Sequence, residues 1–146
     1  MMLSVQNFSK SFRGLKAVSA ASFEVERGGL VALIGPNGAG KTTCFNMIAG
    51  VFPPDSGNIV FANKKINGFR PDQVCAAGIG RTFQIVKPFA GLSVLDNVIV
   101  GALHRERSVA GARALALSIL EKLKRQEKKD LPASSLTLPD SKRLEV

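Results

Sequence analysis

The residues best suited to chemistry lie close together in Gly35-Pro36-Asn37-Gly38-Ala39-Gly40-Lys41-Thr42, which satisfies the pattern G-x-x-x-x-G-K-[ST]. Glycines at these positions let successive backbone N–H groups turn inward with no Cβ in the way. A helix starting near Lys41 would add about half a positive charge at its amino end, so the loop is built to hold phosphate oxygens through backbone. The Lys41 ammonium then reaches the β and γ phosphates of a nucleoside triphosphate as a point charge. The Thr42 hydroxyl ligates a Mg2+ ion that bridges the same two phosphates. The context expected for the pattern is a strand before it and a helix after it, so the flanks are read next.

Both flanks read correctly. Leu30-Val31-Ala32-Leu33-Ile34 is a continuous apolar run after Arg27-Gly28-Gly29, and it predicts a central parallel strand covered on both faces. Lys41 to Ala49 contains no Gly or Pro, sets Phe45, Ile48 and Ala49 at helical spacing, and ends at Gly50, which predicts one helix. Upstream, Leu3 to Phe8 and Ser22 to Glu26 alternate apolar and polar residues and predict an antiparallel pair. Downstream, Pro53 to Gly57 reads as a turn, Asn58 to Phe61 as a strand, Pro71 to Ala77 as a short helix, and Ile79 to Phe83 as a further strand.

From Pro88 onward the pattern is helical. Ser93 followed by Asp96 predicts a capped helix running to about Leu103. Ala112, Ala116, Ile119, Leu120 and Leu123 form one apolar helix face opposite Lys122, Arg125 and Lys129. Pro132 to Pro139 reads as a loop, and residues 141–146 as the first turns of another helix.

Composition narrows the class. The chain has 146 residues, 45% of them hydrophobic, and 20 Lys+Arg against 11 Asp+Glu give a net charge of +9. This is the profile of one globular domain or part of a larger one, and it excludes disorder over most of the length. The longest apolar run has five residues, against roughly 20 needed to cross a bilayer, so a cytosolic protein or one peripheral to a membrane is expected. Cys44, Cys75 and the single His104 cannot make a four-ligand zinc site, and both thiols are expected to be reduced, buried fillers. The charge divides as +5 over residues 1–100 and +4 over residues 101–146, so no basic tail stands out. Such a balance favours anionic partners, whether nucleotide, lipid headgroup or nucleic acid. Lys122, Lys124, Arg125, Lys128 and Lys129 cluster on the expected helix, and a solvated face is the ordinary outcome for such a run.

Gly35 to Lys41 with Thr42 and Thr43 is similar to the phosphate loop of ABC transporter ATPases. Residues 78–84 (GIGRTFQ) and 89–98 (FAGLSVLDNV) resemble the Q-loop region of the branched-chain amino acid importer subunits. The resemblance implies an α/β P-loop NTPase fold of the ABC nucleotide-binding type. Residues 1–87 would form the antiparallel β subdomain and the core up to the Q-loop, and residues 88–146 the helical subdomain up to the signature region. It also implies ATP and Mg2+ as ligands, with Gln84 contacting Mg2+ or the attacking water and Phe12 stacking on adenine. The implied partners are membrane permease subunits, a second ATP-binding subunit and, indirectly, a solute-binding protein, with the chain peripheral at the cytoplasmic membrane face. No nucleic acid is expected.

The sequence departs from the family in two places. No Asp-Glu dipeptide occurs, so the Walker B carboxylates are missing, and His104 falls too early to be the switch histidine and reads as a solvated surface residue. The signature should lie at residues 136–143 (LTLPDSKR), yet Leu138 and Pro139 stand where the family has N–H-donating backbone, and proline has no N–H to donate. Thr137 is left to offer a hydroxyl. Without a water-orienting carboxylate, the positioning and electrostatic terms of phosphoryl transfer are absent. The sequence is therefore expected to be an importer ATPase truncated before Walker B, or a shortened paralogue that binds nucleotide without turnover.

Overall fold

The computed structural model describes residues 1–145. They divide into two compact units, Met1–Arg81 and residues 82–145.

In the first unit, β1 (Leu3–Phe12) and β2 (Leu15–Val25) form the expected antiparallel pair, with Leu3 opposite Val25 and Phe12 opposite Leu15. Their two-residue turn is Arg13-Gly14 with φ of 48° and 86°, the left-handed pair that matches the twist of a hairpin. β3 (Ser56–Phe61) pairs with the other edge of β1, and the short β4 (Lys64–Lys65) completes an antiparallel sheet ordered β2-β1-β3-β4. Simple alternation along β1 fails at Asn7, where φ is +48° and the register shifts. The extra residue of this bulge returns Phe8 to the face of Val5, so both are fully buried despite their odd spacing.

Helix α1 (Lys41–Ile48) covers the sheet, and α2 (Pro71–Ala77) follows β4. Cys44 and Met47 of α1 join Val5, Phe8, Ile59 and Phe61 in the core. Phe45, expected to share the apolar face, is 53% exposed, because its neighbour Cys44 faces the sheet. Pro71 opens α2, and the Gln73 side chain accepts a hydrogen bond from the Arg70 amide at 3.0 Å. Cys75 on α2 is exposed, contrary to its reading as a buried filler, whereas burial pushes the Cys44 thiol up from its ordinary pKa.

Two expected strands do not form. Residues 30–34 have no strand partner among the described residues, and Leu30 and Ile34 are 99% and 90% exposed. A run that is apolar on both faces becomes a strand only when neighbours cover both faces and both edges. The described sheet is filled by other strands. Residues 79–83 are likewise irregular, with Phe83 exposed.

The second unit is helical: α3 (Val94–Ala102), α4 (Val109–Lys122) and α5 (Leu138–Glu145). Ser93 caps α3 by accepting from the Asp96 amide at 3.0 Å, and Ser108 caps α4 by accepting from the Gly111 amide at 3.0 Å. Leu95, Ile99 and Ala102 of α3 pack with Ala112, Ala116 and Leu120 of α4. The two alanines, fully buried, let the backbones approach closely. Leu123 caps α4 and is half exposed, and Lys124 turns into positive φ, so Lys124, Arg125, Lys128 and Lys129 lie beyond the helix expected to carry them.

The expected loop 132–139 contains a 3-10 turn, Ala133–Ser135, and α5 begins inside it at Leu138. The last residue of that expected helix, Val146, falls outside the described residues. Near the start of α5, Asp140 accepts from Lys128 Nζ at 2.5 Å and from Thr137 Oγ1 at 2.9 Å, with Arg125 Nη2 at 3.6 Å. Its side chain is only 10% exposed. The Lys128 hydrogen bond, then that of Thr137, holds its carboxyl below the usual aspartate range. A folded-state pKa below the unfolded one contributes stability above the unfolded value, and that contribution disappears as pH falls through the folded value. Asp140→Asn is therefore expected to lower the melting temperature at pH 7. The gap to the wild-type chain should close as pH falls below about 4. Thermal melts at pH 7 and pH 3 check this; an equal gap at both would show that the carboxylate charge is not responsible.

Candidate functional site

The glycine-rich loop leads directly into α1. Ala39 N donates to Pro36 O at 3.2 Å, closing a turn, and Cys44 N donates to Gly40 O at 2.9 Å, starting the helix. Gly38 and Gly40 both take left-handed backbone, with φ of 84° and 81°. At Gly40 the need for glycine is also spatial, since a Cβ there would lie 2.2 Å from the Ala17 carbonyl oxygen of β2. The loop is thus seated against the first hairpin, while residues 35–39 are exposed.

The first turn of a helix leaves its N–H groups without partners in the helix, here those of Lys41, Thr42 and Thr43. Helix α1 has no side-chain cap and no acidic residue in its first turn. Its positive end is therefore left for an external anion. Lys41 Nζ reaches back across the loop and donates to Gly35 O at 2.6 Å and Pro36 O at 2.7 Å. Phosphate oxygens would offer the ammonium charged acceptors in place of those neutral carbonyls. The donor set is one ammonium and several amides with no carboxylate, and it fits a polyphosphate. Thr42 is exposed at the helix start, and among the described residues no cluster of three or more His, Cys, Asp or Glu offers a protein-only metal cage.

Phe12 ends β1, one turn before the strand that backs Gly40. It is 42% exposed and meets Phe52 edge to face at 5.2 Å between ring centroids. Lys10 Nζ lies over both rings and donates to Asp55 Oδ1 at 2.6 Å. The roles of Lys10, Phe52 and Asp55 were not readable from the sequence. Asp55 sits in a turn-rich stretch, and only the β1–β3 pairing brings it to Lys10.

The other candidates lie in the second unit. Gln84 lies in an exposed bend of the second unit. His104 is exposed in the turn after α3. Thr137 spends its hydroxyl on Asp140, and Leu138 and Pro139 form the first turn of α5, so the segment expected to be the signature loop is a helix start closed on itself. Arg81 links the end of the first unit to α1 by donating to Asn46 Oδ1 at 2.6 Å.

Residues 18–145 match the family model described as ABC transporter. The chain is 41% identical over 99 residues to a probable branched-chain amino acid transport ATP-binding protein LivG of Archaeoglobus fulgidus, covering 68% of this chain and 38% of the relative. It is 34% identical over 161 aligned positions to the high-affinity branched-chain amino acid transport ATP-binding protein LivG of Salmonella typhimurium, covering 99% of this chain and 63% of the relative. Among solved structures, a nucleotide-free ATP-binding cassette from an ABC transporter matches with a TM-score of 0.84 at 32% identity. An ATP-binding cassette in its ADP conformation matches with the same TM-score and identity. Each match covers 99% of this chain and 62% of that structure. The chain thus spans less than two thirds of the length of these relatives.

Proposed function

The chain belongs to the ABC transporter family, and we propose that it is an ATP-binding, energy-coupling subunit of an importer for branched-chain amino acids. The observation that carries this reading is the loop at residues 35–43: left-handed glycines at 38 and 40, an uncapped helix start, and an ammonium folded over the loop carbonyls. The amides and Lys41 would hold the phosphates of MgATP, which supplies the polyanion this loop fits. Thr42 contributes a hydroxyl to the metal, and Phe12 a ring on which adenine stacks. Gln84 keeps the role that the resemblance assigns it, a contact to Mg2+ or to the attacking water. The LivG relatives support branched-chain amino acids as the cargo.

Partners follow from the same reading: permease subunits in the membrane, a second ATP-binding subunit, and a solute-binding protein reached only through the permease. A peripheral place at the cytoplasmic face goes with permease partners, and among the described residues no helix is long and apolar enough to cross a membrane. The absence of an Asp-Glu dipeptide and the closed helix start at residues 137–140 support binding without turnover by the 146-residue chain itself.

Titration calorimetry with steady-state phosphate release tests both parts. One MgATP per chain with no phosphate release above background is expected. Absence of nucleotide binding overturns the reading, and measurable turnover overturns its second half.

A further inference from the structure

Lys10 is not part of the phosphate loop, yet its ammonium is ion-paired to Asp55 and lies over two aromatic rings. Its side chain is 14% exposed. The ammonium sits 5.8 Å from the Phe12 centroid and 5.6 Å from the Phe52 centroid, while the two centroids are 5.2 Å apart and the rings stand at 87°. A cation over ring faces at this range is attracted by their quadrupoles, and edge-to-face packing fixes the second ring against the first.

Asp55 holds the lysine and the strand together. Its Oδ1 accepts from Lys10 Nζ at 2.6 Å, its Oδ2 accepts from Ser11 N at 2.7 Å, and its own N–H donates to Ser9 O at 2.9 Å. One residue thus grips the three positions that immediately precede Phe12. These contacts fall at the hairpin end of β1, where the register against β2 shifts between Lys10 and Ser11. Fixing a ring before the ligand arrives removes an ordering cost from binding.

We infer that Lys10, clamped by Asp55, is a positioning residue that holds the Phe12 ring as a platform for the purine base, acting through Phe12 rather than on the phosphates. This rests on the proposed MgATP reading and adds to it a determinant of base affinity outside the phosphate loop.

The test separates base from phosphate. The full chain and its Lys10→Met, Lys10→Arg and Asp55→Asn variants are titrated with MgATP and with magnesium tripolyphosphate, which has the phosphates and no base. Lys10→Met and Asp55→Asn are each expected to weaken MgATP about three- to tenfold, in the range set by loss of a cation–ring contact and its ordering. Tripolyphosphate affinity should stay within about twofold, which also shows that the phosphate loop is still folded. Lys10→Arg keeps a cation over the rings and is expected to restore MgATP binding. If Lys10→Met leaves MgATP affinity unchanged, or weakens both ligands equally, the inference is overturned while the nucleotide reading stands. If the unmodified chain binds neither ligand, both fall together.

Discussion

Replacing Lys41 with alanine is expected to weaken MgATP binding by about two orders of magnitude or more while leaving the melting temperature nearly unchanged. The ammonium donates to the carbonyls of Gly35 and Pro36 in a stretch exposed to solvent, so water can satisfy both oxygens once the side chain is gone. Bound phosphates would lose more. Hydrogen bonds to charged groups contribute about 1.5–3 kcal/mol each, and two of them correspond to roughly a hundredfold or greater change in affinity. Amides and the helix end remain in the variant, so weak residual affinity is the expected outcome rather than none. Calorimetric titration of Lys41→Ala beside a thermal melt checks both halves. A variant that keeps its affinity would mean that the lysine holds the loop and not the ligand.

How much of this was readable beforehand depends on whether the signal was local. The Ser93 cap and Pro71 at the start of α2 each act within a few residues, and those elements appear where their chemistry places them. The glycine-rich loop follows the same rule in its geometry, since the left-handed glycines at 38 and 40 and the helix start at Lys41 are local features. Residues 30–34 carry a different kind of signal: an apolar run states that the strand needs cover and is silent on what supplies it. Asn7 is a third case, because a bulge in β1 depends on its pairing with neighbouring strands, and alternation within β1 alone cannot place it. In the sequence Asp55 read as a turn residue and Asp140 as one position of the expected signature segment. Each proved to be an anchor for cations far away in sequence, Asp55 for Lys10 and Asp140 for Arg125 and Lys128.

The two left-handed glycines of the loop give the second strong prediction, because they share a backbone angle and differ in what surrounds them. Gly38 and Gly40 have nearly the same φ, 84° and 81°, so alanine is strained at both, by about 1 kcal/mol or somewhat more. At Gly38 a Cβ would find nothing within 4 Å. At Gly40 it would lie 2.2 Å from Ala17 O, 3.1 Å from Val18 Cγ2 and 3.3 Å from the Ala17 carbonyl carbon. That oxygen belongs to β2, whose neighbouring residue Val18 is paired with Lys10, so the strand cannot withdraw without breaking the hairpin. The loop must move instead, and with it the amides at the start of α1. Gly40→Ala is therefore expected to destabilise the first unit by about 2–4 kcal/mol, adding overpacking to backbone strain, and to lose most MgATP affinity. Gly38→Ala should cost about 1 kcal/mol in stability. Denaturant melts of the two variants decide the point: equal losses at 38 and 40 would mean that backbone angle alone matters, and that β2 does not brace the loop from behind.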